Sequence, residues 1–516
     1  MNSRTRFLYI LACALPSALT LVLAIRLSLF GWPLAMLLIL VSSTALLAHH
    51  GVRARMHMDD QPTSGQRLAL AGCAALLSLG MTVILPPMQA PDENVHIWRA
   101  ASFADGQFLP IPNTRERPAT DQIDTSLYNY TNEWLELVVD DAPNLATRLS
   151  TSTRHMPWSG QRMGVFSPAA PYFPALYAPA AVALDASREL LQPVGNSIAW
   201  ARIAMWATAM MLLYAALMGI RAGTHMMVAA TLLPVTLQQM SSVNLDAITI
   251  PLAFLVTAGF TNGAFGVSPD GTRSNTALLV RVAAWVLLCL LCLAKIVFLV
   301  FLLPIGWWML RGHWRMFLLP VTSTIIACIL WQTYLAHSYV DTRIELAAGP
   351  IHRMLEALSS PIGMFTLFWR TIDTLGEFYI DTMVGVLGWL DTPLPAGTMA
   401  VSTLTLMMAV VADALAYNPL QKTTRAILSL SALACAVGTI LLMWAVWTPP
   451  GVLLIAGVQG RYFTPVLPAL AIALGLRKQI PSISRLATWL FVGTAMLAVA
   501  VETVDIPATL LERYWQ

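Results

Sequence analysis

The run Ala283-Ala-Trp-Val-Leu-Leu-Cys289-Leu-Leu-Cys292-Leu-Ala-Lys295-Ile-Val-Phe-Leu-Val-Phe-Leu-Leu-Pro304-Ile-Gly-Trp-Trp-Met-Leu310 carries a single charge, on Lys295. It exceeds the roughly 20 apolar residues that one helix needs to cross a hydrocarbon core. Its lone ammonium marks either a side chain reaching for the interface or a break between two short helices. The whole chain has the same character. Of 516 residues, 57% are hydrophobic and 11% charged, where a soluble domain carries about 25% charged residues. Lipid is therefore the solvent for most of the chain, and backbone polar groups in lipid must be satisfied within helices. The sequence predicts an all-α integral membrane protein with about thirteen transmembrane helices. They fall near 7–24, 32–48, 68–85, 198–219, 225–242, 246–264, 280–296, 297–310, 317–335, 396–416, 425–447, 461–476 and 485–503. A net charge of +3 gives no sign of a nucleic-acid partner.

Breaking the quoted run at Lys295 aligns the loop charges. Arg4, Arg6, Arg53, Arg55, Arg67, Arg221, Arg273, Arg311, Arg315, Lys422, Arg425, Arg477, Lys478 and Arg485 then share one side, which the positive-inside rule makes cytoplasmic. The N-terminus reads as a retained helix with a cytoplasmic start, because no convincing cleavage site follows it. Four regions result: a membrane hairpin and cytoplasmic loop over 1–67, a membrane core over 68–335, a second outer loop over 336–395, and C-terminal helices over 396–516. The core includes a first outer loop at 86–195, with ten acidic and six basic residues between Pro86 and Ser167. Its proline-rich end, Ser167 to Tyr177, reads as re-entrant or interfacial, with Tyr172, Phe173 and Tyr177 at headgroup depth. The second outer loop, with Met364–Arg370 and Gly385–Asp391, reads as a helix lying on the membrane. The six cysteines lie in apolar runs and read as small hydrophobes.

Three polar clusters converge on the outer side. Ala90-Pro-Asp92-Glu93-Asn-Val-His96 opens a helix; its acids either serve the helix dipole or act chemically. Asp92, His96 and Arg99 share one face of that helix, where an aspartate can accept a proton from a hydroxyl nucleophile. Asn244-Leu-Asp246 follows Gln238 and Gln239, so Asp246 is either the next helix's N-cap or part of a polar cavity. Gly457-Val-Gln459-Gly-Arg461-Tyr462 pairs flexible glycines with an arginine suited to gripping phosphate. Lys295 either snorkels or binds phosphate. His49, His50, His57, His225 and His313 read as residues without partners.

These segments, with Trp98-Arg99-Ala100, Gly106, Ser241–Asp246, Lys295 and Val386-Leu-Gly-Trp-Leu-Asp391 followed by Pro393, resemble a bacterial membrane family known as domain of unknown function 2142. That family resembles the GT-C glycosyltransferases, polytopic enzymes that take a sugar from a polyprenyl-phosphate donor outside the membrane. The resemblance implies a GT-C-like fold in the bacterial cytoplasmic (inner) membrane and an inverting transfer to a surface-glycan or lipid-linked acceptor. It makes Asp92 the catalytic base with Glu93 beside it. Arg461, Lys295 and Tyr462 would hold the donor phosphate, and His96, Arg99, Asn244, Asp246 and Gln459 would contact substrate. No cofactor is required; a divalent cation, Mg2+ or Mn2+, between Asp92 and Asp246 is left open. Alternatives are a lipid-linked glycan flippase or permease, and a polysaccharide polymerase or ligase.

Overall fold

The computed structural model describes residue 62 and residues 64–140, 144–344, 349–476 and 481–516. The expected spans at 7–24 and 32–48, their flanking arginines, and His49, His50 and His57 lie outside the described residues. In chain order the first helices are α1 (Ser64–Ile84) and α2 (Glu93–Ala104), followed by strand β1 (Asp121–Asp124). Next come α3 (Thr125–Leu135), α4 (Leu145–Ser152), strand β2 (Arg162–Val165), α5 (Ala178–Glu189) and α6 (Val194–Gly219). Then follow α7 (Thr224–Leu232), α8 (Pro234–Met240), α9 (Asp246–Asn262) and α10 (Leu278–Ala294). After a 3-10 segment at Ile296–Leu302 stand α11 (Leu303–Trp308), α12 (Trp314–Ser338), α13 (Pro350–Ser359) and α14 (Pro361–Val384). A short hairpin of β3 (Val386–Leu387) and β4 (Thr392–Pro393) leads to α15 (Ala396–Leu415) and α16 (Lys422–Trp447). The 3-10 segment Gly460–Val466, α17 (Leu467–Ala471) and α18 (Pro481–Trp515) close the chain.

The protein is a helical membrane protein. Among the described residues, six segments are long and apolar enough to cross a bilayer: Ser64–Ile84, Val194–Gly219, Ile296–Ser338, Ala396–Leu415, Lys422–Trp447 and Ser482–Trp515. Among the described residues fewer full-length spans appear than the apolar runs suggest, and prolines divide two of the runs. The expected span 225–242 is two short helices, because Pro234 forces Leu233 to an extended ψ of 129°. The run at 461–476 becomes a 3-10 segment and a five-residue helix around Pro465 and Pro468. The opening run does break at Lys295, whose φ of −142° ends α10 and starts the 3-10 segment.

The described part of 86–195, expected as the first outer loop, is a packed unit. β1 and β2 pair antiparallel, with Asp121 opposite Val165, and buried Trp98, Leu127, Trp134, Leu149 and Leu184 share one core with the membrane helices. Tyr177, expected at headgroup depth, is fully buried in that core. Gly385–Asp391 is also not a surface helix. It forms the hairpin of β3 and β4, with Gly388 at φ 63° and Leu390 at φ 67°. α14 presents Met364, Leu367, Phe368, Thr371, Ile372, Leu375 and Tyr379 to the protein along one stripe, the i, i+3, i+4 pattern of a helix with one packed face.

Candidate functional site

The site begins at the turn from α1 into α2. Asp92 precedes α2 at φ 64°, ψ 9°, in the left-handed region, and its side chain makes no capping hydrogen bond. A non-glycine residue there is uncommon and carries strain, a pattern that clusters at functional sites. The carboxylate freed from capping meets Arg461, with Oδ2 3.3 Å from Nη2.

Glu93, its neighbour, has a different task. Arg202 of α6 donates from Nε to Oε1 (2.7 Å) and from Nη2 to Oε2 (2.5 Å). The Val243 and Met88 amides donate to the same two oxygens at 3.0 Å each. Arg202 also donates to the carbonyls of Leu85 and Pro86. Glu93 and Arg202 therefore lock the turn that bears Asp92. The Glu93 carboxylate is spent on that framework and is not free beside Asp92 as a second reacting acid. Arg202, the one charge in α6, is a residue that sequence reasoning missed. An intramembrane charge without an assigned partner was the available signal.

The β3–β4 hairpin supports the same turn. Trp389 donates from Nε1 to the Met88 carbonyl (2.8 Å), and Gln238 Nε2 donates to the Gly388 carbonyl (3.2 Å).

A second acid arrives with α9. Asn244 accepts from the Ala247 amide (2.8 Å) and so caps this helix, which leaves the Asp246 carboxylate for other partners. Lys295 Nζ lies 2.5 Å from Asp246 Oδ1, and Thr249 donates to that oxygen at 3.0 Å. Arg461 Nε stands 3.9 Å from Asp246 Oδ2. Gln239, which the sequence marked only as a polar residue in an apolar run, joins the pieces: its Oε1 accepts from Asn244 Nδ2 (2.9 Å) and Arg461 Nη1 (3.1 Å). Asn244 thus holds the framework around the acids.

Arg461 owes its place to Gly460. The Gly460 amide donates to Thr382 Oγ1 of α14 (2.9 Å), and a Cβ there would overlap the Tyr379 carbonyl oxygen. The close approach that glycine permits is to α14, not to a ligand. Tyr462 offers its ring to both cations, with Lys295 Nζ 5.0 Å and the Arg461 guanidinium carbon 5.5 Å from its centroid. Gln459 Oε1 is buried without a hydrogen-bond partner among the described residues.

Accessibility separates these groups. Side-chain exposure is 44% for Asp92 and 21% for Lys295, against 9% for Asp246 and 5% for Arg461. Asp92 and Lys295 are the reachable ends of an alternating row: Asp92, Arg461, Asp246, Lys295. The Arg461 guanidinium occupies the place between the two carboxylates. Among the described residues no three metal-ligating side chains cluster. Two acids already bound to cations are a poor cage for a hard divalent ion, which takes six or more oxygens.

His96 lies one turn from Asp92. Its Nδ1 is 2.6 Å from the Tyr177 hydroxyl, and its ring stacks between Tyr172 and Tyr177 at centroid distances of 5.8 and 5.7 Å. Burial lowers its pKa to about 4, despite the opposing pull of Asp92 and Asp246. At neutral pH the ring is uncharged. Both tyrosines are pushed up by burial and stay protonated donors.

Arg99, expected on the same face, points its chemistry elsewhere. It is fully buried, pairing with Asp121 at 3.1 Å and donating to the Phe108 carbonyl at 2.7 Å. It braces the unit built on β1 and β2. His225 is also corrected: Nδ1 binds Asp413 (2.8 Å) and Nε2 binds Thr488 (3.0 Å), while Asp413 also accepts from the amides that open α7.

No curated protein and no solved structure matches this chain. The model of one family, described as predicted membrane protein (DUF2142), matches residues 75–470, most of the chain's length. The chain belongs to that family.

Proposed function

We propose that the protein is an inverting membrane glycosyltransferase of GT-C type. It moves a sugar from a polyprenyl-phosphate donor to a surface-glycan or lipid-linked acceptor at the extracytoplasmic face of the bacterial inner membrane. The observation that carries this reading is the row of Asp92, Arg461, Asp246 and Lys295. It offers a half-exposed carboxylate beside Arg461, and a second, partly exposed cation, Lys295, at the other end of the row.

In the proposed reaction Asp92 takes the proton from an acceptor hydroxyl, whose oxygen attacks the anomeric carbon as the bond to the donor phosphate breaks. Lys295 meets the phosphate from the accessible side. Arg461, behind it, stabilises the negative charge gathering on the departing polyprenyl phosphate. Asp246 keeps both cations in place through its two oxygens. Neutral His96, held by Tyr177, offers a ring edge for a sugar hydroxyl. The donor's apolar tail is accommodated against the membrane-spanning helices.

The test uses protein reconstituted in lipid with a panel of radiolabelled polyprenyl-phosphate sugars. Release of labelled sugar by wild type and its loss in Asp92→Asn is the expected result. Equal release by the two proteins would reject Asp92 as base.

A second reading, a permease for lipid-linked glycans, draws on one observation. Lys295 stands where α10 breaks into a 3-10 segment, and Arg461 lies in a second 3-10 segment that leads into the short helix α17. Transporters often place their binding groups at broken helices. Saturable donor binding without turnover, unchanged by Asp92→Asn, would favour it.

A further inference from the structure

At the far end of α2 from Asp92 lies a cavity of about 530 Å³ that the transfer chemistry leaves unused. Helix α2 runs from Asp92 at its N-cap to Asp105 at its C-cap, so the two places are roughly 20 Å apart along a rigid rod. Asp105, His155, Trp158, Arg162, Arg188 and Gln192 contribute to its lining.

The walls are built and charged. Arg188 donates from Nη1 to Asp105 (2.6 Å), and its guanidinium carbon lies 4.2 Å from the centroid of the Trp158 ring. Trp158 is held in turn by Ser197 at 3.2 Å. Two further donors of Arg188, Nε and Nη2, are buried with no acceptor among the described residues. Buried donors in a native protein are nearly always satisfied, so this pair calls for an explanation. Arg162 reaches Asp105 at 3.5 Å and leaves its side chain 53% exposed. Asp124 is anchored by the Ser126, Ser159 and Gly160 amides, which fixes the loop that forms one wall.

We propose that this cavity is a saccharide-binding subsite. Its volume lies within the roughly 300–1,000 Å³ of ligand pockets, and such pockets combine an aromatic wall with a few fixed polar groups. Here the Trp158 ring, one face of which lies under the Arg188 guanidinium, stands among donors on Arg162 and Arg188, an acceptor on Asp105, and dual-role groups on His155 and Gln192. A pyranose presents the complementary surface, apolar C–H faces edged by hydroxyls that both donate and accept. Resting on the reading of Asp92 as transferase base, the bound saccharide is a distal part of the acceptor.

The experiment measures binding of full-length detergent-solubilised protein to an array of defined neutral and uronate-containing oligosaccharides. The variants are Asp92→Asn, His155→Ala, Arg162→Ala and Gln192→Trp. The last fills the cavity, and His155 and Arg162 are exposed enough to change without harm to folding. The proposal expects saturable binding by wild type and Asp92→Asn, weakened about tenfold or more by each cavity variant. Binding of no saccharide would overturn it. So would binding of glycerol phosphate alone, binding unchanged by the cavity variants, or binding lost in Asp92→Asn as well. Sugar transfer retained by Asp92→Asn would reject Asp92 as the base, and no transfer by wild type would reject the transferase chemistry, either result leaving the subsite standing.

Discussion

The Glu93→Gln exchange removes one charge from an acid that is fully buried and bound on both oxygens. Each oxygen accepts one Arg202 bond and one backbone amide, at 2.5–3.0 Å. Glutamine retains one acceptor oxygen, but its amino group then confronts donors already in place, and the Arg202 guanidinium stays buried without a counter-charge. Breaking a buried ion pair from one side costs about 3–5 kcal/mol. The adjacent Asp92→Asn change affects a half-exposed carboxylate 3.3 Å from Arg461, for which solvent screening leaves about 1 kcal/mol or less. Denaturation midpoints in lipid nanodiscs, for Glu93→Gln, Arg202→Met, the double variant and Asp92→Asn, provide the comparison. The two single changes at the pair should destabilise strongly. The double variant should fall short of their sum by about 2 kcal/mol, since neither partner is then stranded. Glu93→Gln within about 0.5 kcal/mol of wild type, or strict additivity in the double variant, would refute the assignment of Glu93 to the framework.

Three further outcomes follow from the same geometry. Gly460→Ala should lower stability by about 2 kcal/mol or more and abolish transfer, because the Tyr379 carbonyl leaves no room for a Cβ; wild-type melting and turnover would show that the segment can move aside. Lys295→Met should raise the donor KM about tenfold while changing kcat less, as loss of a phosphate contact made before the transition state requires; an unchanged KM removes Lys295 from the donor site. His96, lowered by burial to about 4 from an ordinary 6.5, takes its proton more readily in the unfolded chain. Its contribution is therefore complete above about pH 6.5 and is lost as pH falls to about 4, roughly 3 kcal/mol in all. A His96→Gln variant should show a flatter stability curve across that window, and an unchanged slope would contradict the assignment.

The helical membrane class was legible because apolar runs such as Ala283–Leu310 have no soluble explanation. Lys295, Asp246, Asp92 and Arg461 were legible as exceptions to those runs, and folding does bring them into one row. Their partners were not. A charge in sequence does not announce which opposite charge will meet it, so Glu93 and Arg99 looked like site residues until Arg202 and Asp121 were found bound to them. Asp92 and Asp246 illustrate the reverse. Both had a plausible capping role, and in neither does the side chain cap its helix, since Asp92 makes no such bond and Asn244 serves α9. The expected span 225–242 is divided for a local reason: its average hydropathy hides the single proline, Pro234, that splits it. His225 had no local signal at all, because its partners Asp413 and Thr488 come from distant helices.

The most direct measurement is single-turnover sugar release with enzyme in excess over a radiolabelled polyprenyl-phosphate sugar that wild type accepts. Wild type and Asp92→Asn are compared at equal folded fraction. The account predicts that Asp92→Asn binds the donor with wild-type affinity and releases sugar about 10²-fold more slowly or less, the scale of a lost general base. Release by Asp92→Asn at the wild-type rate would contradict the claim that Asp92 is the base.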